Sequence, residues 1–289
     1  MTCGVNTTEI IPGHMASPAR YSFQRVIRPL LKKFISQEDR RILDFGCGAG
    51  VWRFLFDEEA SREIKYVGFD IVDSGFAEKK DRNVEFLLAD GRFTPFRDKS
   101  FDFVFCNAVF EHIPEDCRAV SESFRVLKPG KYCCVIVPTN LTPVYDELPY
   151  LPLRLMGRHA GHGEHYYSRW HIVKLLETLG FEIECITFSL GFFGLILKTL
   201  YMYPRILRWY GTLFTNKLLN RNRYFNRYGY SGTWNAKSKA ELQRICKEEG
   251  KAPSTGHRLY IKPLEFAVLL DGRIPIPLGG EWCIFAKKP

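Results

Sequence analysis

The sequence lacks the long apolar runs, paired cysteine motifs and leader-like start that mark membrane and secreted proteins. No uninterrupted apolar run reaches the roughly 18 residues that a membrane-spanning helix needs, and the first residues show no basic start followed by an apolar stretch. The nine cysteines are an odd number without a C-x-x-C pair, which favours free thiols over a disulfide framework. These absences predict a cytoplasmic globular protein.

One segment of the chain contains no acidic residue. Residues 1–140 hold 20 basic and 20 acidic side chains, whereas residues 141–289 hold 21 basic and 12 acidic ones. Between Glu184 and Glu241 there are nine Lys or Arg residues and no Asp or Glu, which accounts for the whole net charge of +9. A local excess of one sign predicts that this segment meets an anionic partner.

Short apolar runs alternate with helix-length segments over most of the chain. The predicted strands are residues 41–45, 65–71, 84–89, 101–109, 131–137, 181–188 and 281–286, and the predicted helices are 23–34, 51–60, 114–127 and 168–179. This alternation predicts an α/β protein with a parallel sheet covered on both faces. The last two strands are separated by about 90 residues, far more than an ordinary loop, which predicts a helical insertion before the last strand.

The sequence therefore divides into three predicted parts. Residues 1–39 form an N-terminal segment and covering helix, residues 40–188 plus 278–289 form the main domain, and residues 189–277 form a basic, aromatic-rich helical insertion. The sixth strand is predicted to run parallel to the first, so Phe188 should emerge at the sheet edge that carries Gly46. We expect the insertion to cover the ligand cleft at that edge.

A glycine loop follows the first predicted strand. Gly46, Gly48 and Gly50 are spaced Gly-x-Gly-x-Gly before a helix, so that a ligand can approach main-chain N–H groups at the helix N-terminus. Asp70 ends the second predicted strand, where a carboxylate can accept hydrogen bonds from two ribose hydroxyls. A dinucleotide fingerprint requires glycine or alanine at the position of Val51, which counts against NAD.

With these features the chain resembles the class I S-adenosylmethionine-dependent methyltransferases of the type 11, small-molecule kind. The resemblance covers roughly residues 40–140, and more weakly 165–188 and 281–289; besides the glycine loop, its motifs are GFDIV (68–72), LLADGRFTPF (87–96), SFDFVFCNAVFEHI (100–113) and VLKPGKY (126–132). It implies a doubly wound, seven-stranded, mostly parallel sheet of the Rossmann-like methyltransferase fold, with an antiparallel last strand. Lys131 departs from the family pattern, which usually has a second glycine there.

The resemblance also implies S-adenosyl-L-methionine as cofactor and places it residue by residue. The methionine portion would lie on Asp44, Gly46, Cys47, Gly48 and Gly50, the ribose on Asp70, the adenine on Ile71, Asp90 and Gly91, and the methionine amine or the sulfonium near Asn107. Tyr21 precedes the amphipathic helix that can cover the cofactor in relatives; a surface position on a packing helix is equally compatible with it.

Two histidines are candidates for the chemistry at the acceptor. A base is needed only if the nucleophile is a hydroxyl or a protonated amine. His112 follows the fourth strand and either takes a direct role or caps the next helix. His165 ends a glycine-containing loop with two further histidines; we expect no metal there, and either a substrate-facing loop in which His165 is an acceptor contact or base, or a surface loop.

These features predict in-line methyl transfer to a small-molecule or lipid-linked acceptor. Apolar, aromatic and basic residues together suit a membrane interface, so residues 189–230 are predicted to contact a membrane surface, and the protein is predicted to be cytoplasmic with membrane association. A lid helix packed on the core, with its basic face in solvent, is equally compatible with this composition. The alternative is an RNA or protein acceptor bound through the basic insertion. Nucleic acid is not favoured, because the turn after Asn107 lacks the two prolines of amino-methylating enzymes.

Overall fold

The computed structural model describes residues 26–48, 50–57, 64–73, 82–141, 165–196 and 278–289, together with residues 200, 267 and 270. The strands are β1 (Arg41–Phe45), β2 (Lys65–Asp70), β3 (Val84–Leu88), β4 (Phe101–Asn107), β5 (Leu127–Pro138), β6 (Glu182–Gly191) and β7 (Gly279–Lys287). The helices are α1 (Arg28–Phe34), α2 (Phe54–Asp57), α3 (Asp116–Val126) and α4 (Arg169–Thr178), with short 3₁₀ turns at Val51–Arg53 and Phe110–His112.

The seven strands form one sheet in the order β3-β2-β1-β4-β5-β7-β6. Neighbouring strands from β3 to β5 pair in parallel, whereas β7 is antiparallel to both β5 and β6. The predicted doubly wound, mostly parallel sheet with an antiparallel last strand is therefore confirmed. Because β6 runs parallel to β5, the chain leaves β6 at the same edge as the ends of β1 and β4.

Two apolar clusters cover the faces of the sheet. Successive residues of β1 point to opposite faces: Leu43 and Phe45 belong to one cluster and Ile42 to the other. The first cluster includes the apolar sides of α3 and α4, and the second includes that of α1. Both faces are thus covered, which explains why the central strands are continuous apolar runs.

Several predicted boundaries were wrong. β4 ends at Asn107 because Ala108 has a left-handed φ of 55°, which a continuing strand cannot accommodate. Helix α3 begins at Asp116 because residues 110–112 form their own turn, and it ends at Val126 because Leu127 pairs with Phe101 in the sheet. The segment predicted as one helix at 51–60 is a 3₁₀ turn followed by the short α2.

The amino edge of the sheet is held by buried acids with lysine partners. Asp39, only 1% exposed, accepts hydrogen bonds from the main-chain N–H and hydroxyl of Ser36 and pairs with Lys131. Lys131 thus joins the start of β5 to the chain before β1. Asp102 accepts from the N–H groups of Arg40 and Arg41 and pairs with Lys128 at 2.6 Å.

Candidate functional site

The glycine loop has the backbone that its spacing predicted. Gly46, Gly48 and Gly50 have φ values of 69°, 51° and 66°, a region that side-chain-bearing residues rarely adopt. A Cβ on Gly46 would lie 2.5 Å from Val109, and one on Gly50 would lie 2.6 Å from Phe86, whereas one on Gly48 would meet nothing within 4 Å. The loop therefore packs tightly at its two ends and is open at Gly48, where a ligand can approach the main chain.

Asp70 connects the glycine loop to the end of β2. One carboxylate oxygen accepts from Gly48 N–H at 2.8 Å and the other from Val72 N–H at 3.1 Å. Each carboxylate oxygen has two acceptor sites, so the Asp70 carboxylate can still accept ribose hydroxyls. The next side chain, Ile71, is 69% exposed and offers an apolar surface for a flat ring at the same edge.

Asp90 carries a partner that the sequence did not reveal. Its carboxylate accepts from Arg92 through the main-chain N–H at 2.9 Å and through Nε and Nη2 at 2.7–3.2 Å. These contacts hold the pKa of the Asp90 carboxyl below its usual range. Gly91 is buried, and a Cβ there would lie 2.8 Å from the ring of Phe45. An adenine amine would share the Asp90 carboxylate with Arg92.

Asp44 lies beneath the loop. It is 1% exposed, and its carboxylate accepts a hydrogen bond from the hydroxyl of Tyr66 on β2. Burial raises the pKa of the Asp44 carboxyl to about 7, which the Tyr66 hydrogen bond opposes and the charge of Asp70 reinforces. Cys47 is also buried, and half-buried Asn107 ends β4 at the same edge. The direct contact of Asp44 with the methionine portion stays a prediction.

The structure brings His112 and His165 to neighbouring positions. His112 is in the turn after β4, with its side chain 55% exposed and its Nε2 4.0 Å from Glu111 Oε1. The main-chain N–H of His165 donates to the carbonyl of Glu111 at 3.2 Å, and its Nε2 lies 3.3 Å from the carbonyl oxygen of Pro114. Both remain candidate acceptor contacts. Tyr21 lies outside the described residues.

Sequence reasoning missed Glu111, which precedes His112 and whose carbonyl accepts from His165 N–H. Glu111 is 4% exposed, and its Oε2 has no hydrogen-bond partner among the residues that the structure describes. Burial raises the pKa of its carboxyl to about 8. The hydroxyl of Tyr166 is likewise buried without a partner within the described ranges. One signal was present in the sequence, the acid in the Phe-Glu-His motif. Glutamates are usually exposed, so this signal did not indicate burial.

Neither a metal cluster nor a spanning helix appears in the described part of the chain. Within it, no three His, Cys, Asp or Glu side chains are grouped to hold a metal ion; His159 and His162 of the histidine loop lie outside it. No helix among the described residues is long and apolar enough to cross a membrane.

The residues at this edge fit S-adenosylmethionine. An open glycine loop, a strand-end carboxylate with spare acceptor sites, an exposed apolar side chain and a second carboxylate follow one another along β1, β2 and β3. They match in order the carboxylate and amine, the ribose hydroxyls, the adenine face and the adenine amine of that molecule.

Comparison with known proteins identifies the family. A family model of a methyltransferase domain matches residues 15–186. A demethylmenaquinone methyltransferase of Lactococcus lactis is 32% identical over 37% of this chain and 45% of its own length. An arsenite methyltransferase of Halobacterium salinarum is 29% identical over 49% of this chain and 37% of its own length. The [4+2]-cyclase SpnF has the same fold, with a TM-score of 0.54 and 16% identity over all of this chain and 88% of its own.

The chain belongs to the class I S-adenosylmethionine-dependent methyltransferases, in the type 11-like group. The predicted family and its cofactor, S-adenosyl-L-methionine, are thereby confirmed. The chain spans about half, or less, of the length of the curated relatives that it matches. SpnF is named as a cyclase, so the fold by itself does not establish which reaction follows cofactor binding.

Proposed function

We propose that this chain transfers the methyl group of S-adenosylmethionine to a small-molecule or lipid-linked acceptor. The observation that carries the proposal is the glycine loop, open at Gly48 and fixed to the Asp70 carboxylate at 2.8 Å. When bound, the cofactor supplies an activated methyl group on its sulfonium. The protein's contribution is then mainly to hold the two reactants in line and to exclude water.

The described residues divide this work. Gly48 and Asp70 hold the cofactor, and Asp90, neutralised by Arg92, accepts from the adenine amine. Val109 packs against Gly46, so the turn that follows β4 is fixed relative to the cofactor loop. His112 is exposed on this turn and contacts the acceptor.

We propose that residues 189–277 select the methyl acceptor. The family match ends at residue 186, and the relatives within it are named for acceptors as different as demethylmenaquinone and arsenite. The first residues of this segment, 189–191, are the end of β6, and the rings of Phe192 and Phe193 pack at 5.5 Å directly after the strand. Its apolar, aromatic and basic composition supports a lipid-linked acceptor and a membrane contact through residues 189–230.

The same composition supports a second candidate function. Nine basic residues without an acid between Glu184 and Glu241 also suit an RNA or an acidic protein as acceptor. We rank it second because Asp44 and Glu111 are buried at this edge without a Lys or Arg partner among the described residues, and a polyanion would not approach unpaired acids.

The experiment uses the full chain and methyl-labelled S-adenosylmethionine. Calorimetry first measures cofactor binding; a chain that does not bind it would exclude the function. Labelled cofactor is then added to cell extract, and the product is separated into small-molecule, lipid, RNA and protein fractions. Label in the first two fractions supports the proposal, and label in RNA or protein supports the second candidate. Replacing Phe192 and Phe193 with Ser should reduce acceptor labelling and leave cofactor affinity unchanged.

A further inference from the structure

The Glu111 carboxyl is a buried polar group that the proposed function leaves unused. Its Oε2 lacks a hydrogen-bond partner in the ranges that the structure describes, although the residue is 4% exposed. Leaving a buried acceptor unsatisfied costs roughly 1–3 kcal/mol, and more if the group is charged. Folding alone gives no reason to keep such a side chain, which points to a role with a ligand.

Glu111 lies in a turn whose neighbouring residues pack on both the glycine loop and the segment after β3. Two residues before it, Val109 packs on Gly46 of the cofactor loop; two residues after it, Ile113 lies against Gly91. Its own carbonyl accepts from His165 N–H, which ties the turn to the segment that carries the buried, unpartnered hydroxyl of Tyr166.

The charges around Glu111 define what it can bind. Glu281, which pairs with Pro138 at the end of β5, raises the pKa of the Glu111 carboxyl after the larger effect of burial. Glu281 accepts a hydrogen bond from Ser189. Cys106 from β4 and Tyr167 before α4 also lie within electrostatic reach, and the His112 imidazole is at 4.0 Å. No Lys or Arg within the described residues is paired with either acid, so this corner favours a proton donor over an anion.

We propose that Glu111 binds the nucleophilic O–H or N–H group of the acceptor and accepts its proton during methyl transfer. This inference rests on the proposed function. The acceptor oxygen or nitrogen forms a bond to the methyl carbon as the carbon–sulfur bond breaks, and that bonding pair stays on the sulfur. The proton of the nucleophile moves to the Glu111 carboxylate and leaves to solvent through the exposed His112. The nearby charge of Glu281 favours the proton on Glu111 once it has been transferred.

Glu111→Gln tests the proposal, because glutamine keeps the shape and removes the charge. The matched control is Glu115→Gln, an exposed acid four residues later that pairs with Arg118. Thermal unfolding without cofactor, measured from pH 5 to pH 9, should give Glu111→Gln a higher Tm than the wild type, with a gap that widens up to about pH 8. If the carboxyl were instead a structural acceptor, Glu111→Gln would lower the Tm at every pH, which would overturn the proposal without any assay of transfer.

Transfer from labelled cofactor into cell extract gives the second measurement. Glu111→Gln should lose about 100-fold or more in rate and lose the rise of rate with pH up to about pH 8, while its cofactor affinity by calorimetry stays within about twofold. Glu115→Gln should match the wild type throughout. An unchanged rate in Glu111→Gln, or a product methylated on carbon, would overturn the proposal. Cation exchange of the product distinguishes an amine acceptor from a hydroxyl acceptor. A wild type that does not bind the cofactor would overturn the proposed function and not the role of Glu111.

Discussion

The two edges of the sheet both bury acids, but they treat them in opposite ways. At the amino edge, Asp39 and Asp102 are paired with Lys131 and Lys128. Burial acts to raise the pKa of the Asp102 carboxyl. The hydrogen bonds from Lys128 and two main-chain N–H groups act in the opposite direction and together are stronger, so the pKa lies below its usual range. At the carboxyl edge, Asp44 and Glu111 have no lysine or arginine partner among the described residues, and their pKa values rise to about 7 and about 8.

This difference separates stability from function. A buried acid with a cation and main-chain donors contributes to holding strands in register, whereas a buried acid without them destabilises the fold as pH rises. In open α/β sheets, ligands bind at the carboxyl ends of the strands, where polar groups must stay available.

Removing the most deeply paired acid at the amino edge should have the largest effect. Asp39→Ala leaves Lys131 without its partner and removes the acceptor of both Ser36 donors. Breaking a buried ion pair costs about 3–5 kcal/mol. Because Lys131 is 27% exposed and keeps part of its solvation, urea unfolding should show a loss at the lower end, about 3 kcal/mol, with cofactor affinity in the folded protein unchanged. Glu38→Ala, at an exposed neighbour, should change the stability by less than about 0.5 kcal/mol. An equal loss in both variants would contradict the role of the pair.

At the carboxyl edge, Asp70→Ala should affect binding more than folding. It removes the acceptor for the ribose hydroxyls and for Gly48 N–H, which should weaken S-adenosylmethionine binding by about 2–4 kcal/mol. Glu85→Ala on β3, an exposed acid paired with Lys65, should leave calorimetric affinity unchanged. Unaltered affinity in Asp70→Ala would remove Asp70 from the cofactor site.

The fold, the glycine loop and the position of Asp70 could be predicted because the sequence patterns that indicate them are local. The glycine spacing before a helix and the position of Asp70 at a strand end depend only on neighbouring residues in the chain, and the sheet order follows from the family resemblance. The boundary at Leu127 could not be predicted, because it depends on pairing with Phe101, a residue far away in sequence.

The rest of the site depends on burial and on contacts across strands. Nothing in the sequence distinguishes Glu111 from an exposed acid, since its isolation follows from the packing of the turn under residues 165–167. The hydrogen bond from Tyr66 to Asp44 joins two strands, and the Asp90–Arg92 pair requires a turn that the motif did not specify. The acceptor contacts of His112 and His165 and the role of the insertion remain predictions.

Asp44→Asn tests the carboxyl edge through pH. A carboxyl whose pKa is raised from 3.8 to about 7 on folding favours the folded state most when it is protonated. The wild type should therefore lose stability as the pH rises from about 4 to about 7, by about 3 kcal/mol. Asp44→Asn can still accept from Tyr66 and should lose less over this range in urea unfolding. A parallel pH dependence of the two proteins would show that Asp44 is charged in the folded state.

The smallest effect is expected for Lys128→Met, at the half-exposed end of the amino-edge arrangement. Lys128 is 43% exposed, and Asp102 keeps the N–H donors of Arg40 and Arg41 after the lysine charge is removed. An ion pair open to solvent contributes about 0–1 kcal/mol, and salt screens it. The loss in unfolding free energy should therefore stay below about 1 kcal/mol at low salt and shrink further in high salt. Lys65→Met, in a pair exposed on both sides, should show even less. A loss for Lys128→Met as large as that for Asp39→Ala would mean that the lysine, and not the main-chain donors, keeps the Asp102 acid charged, and the two edges would then differ only in where the cations lie.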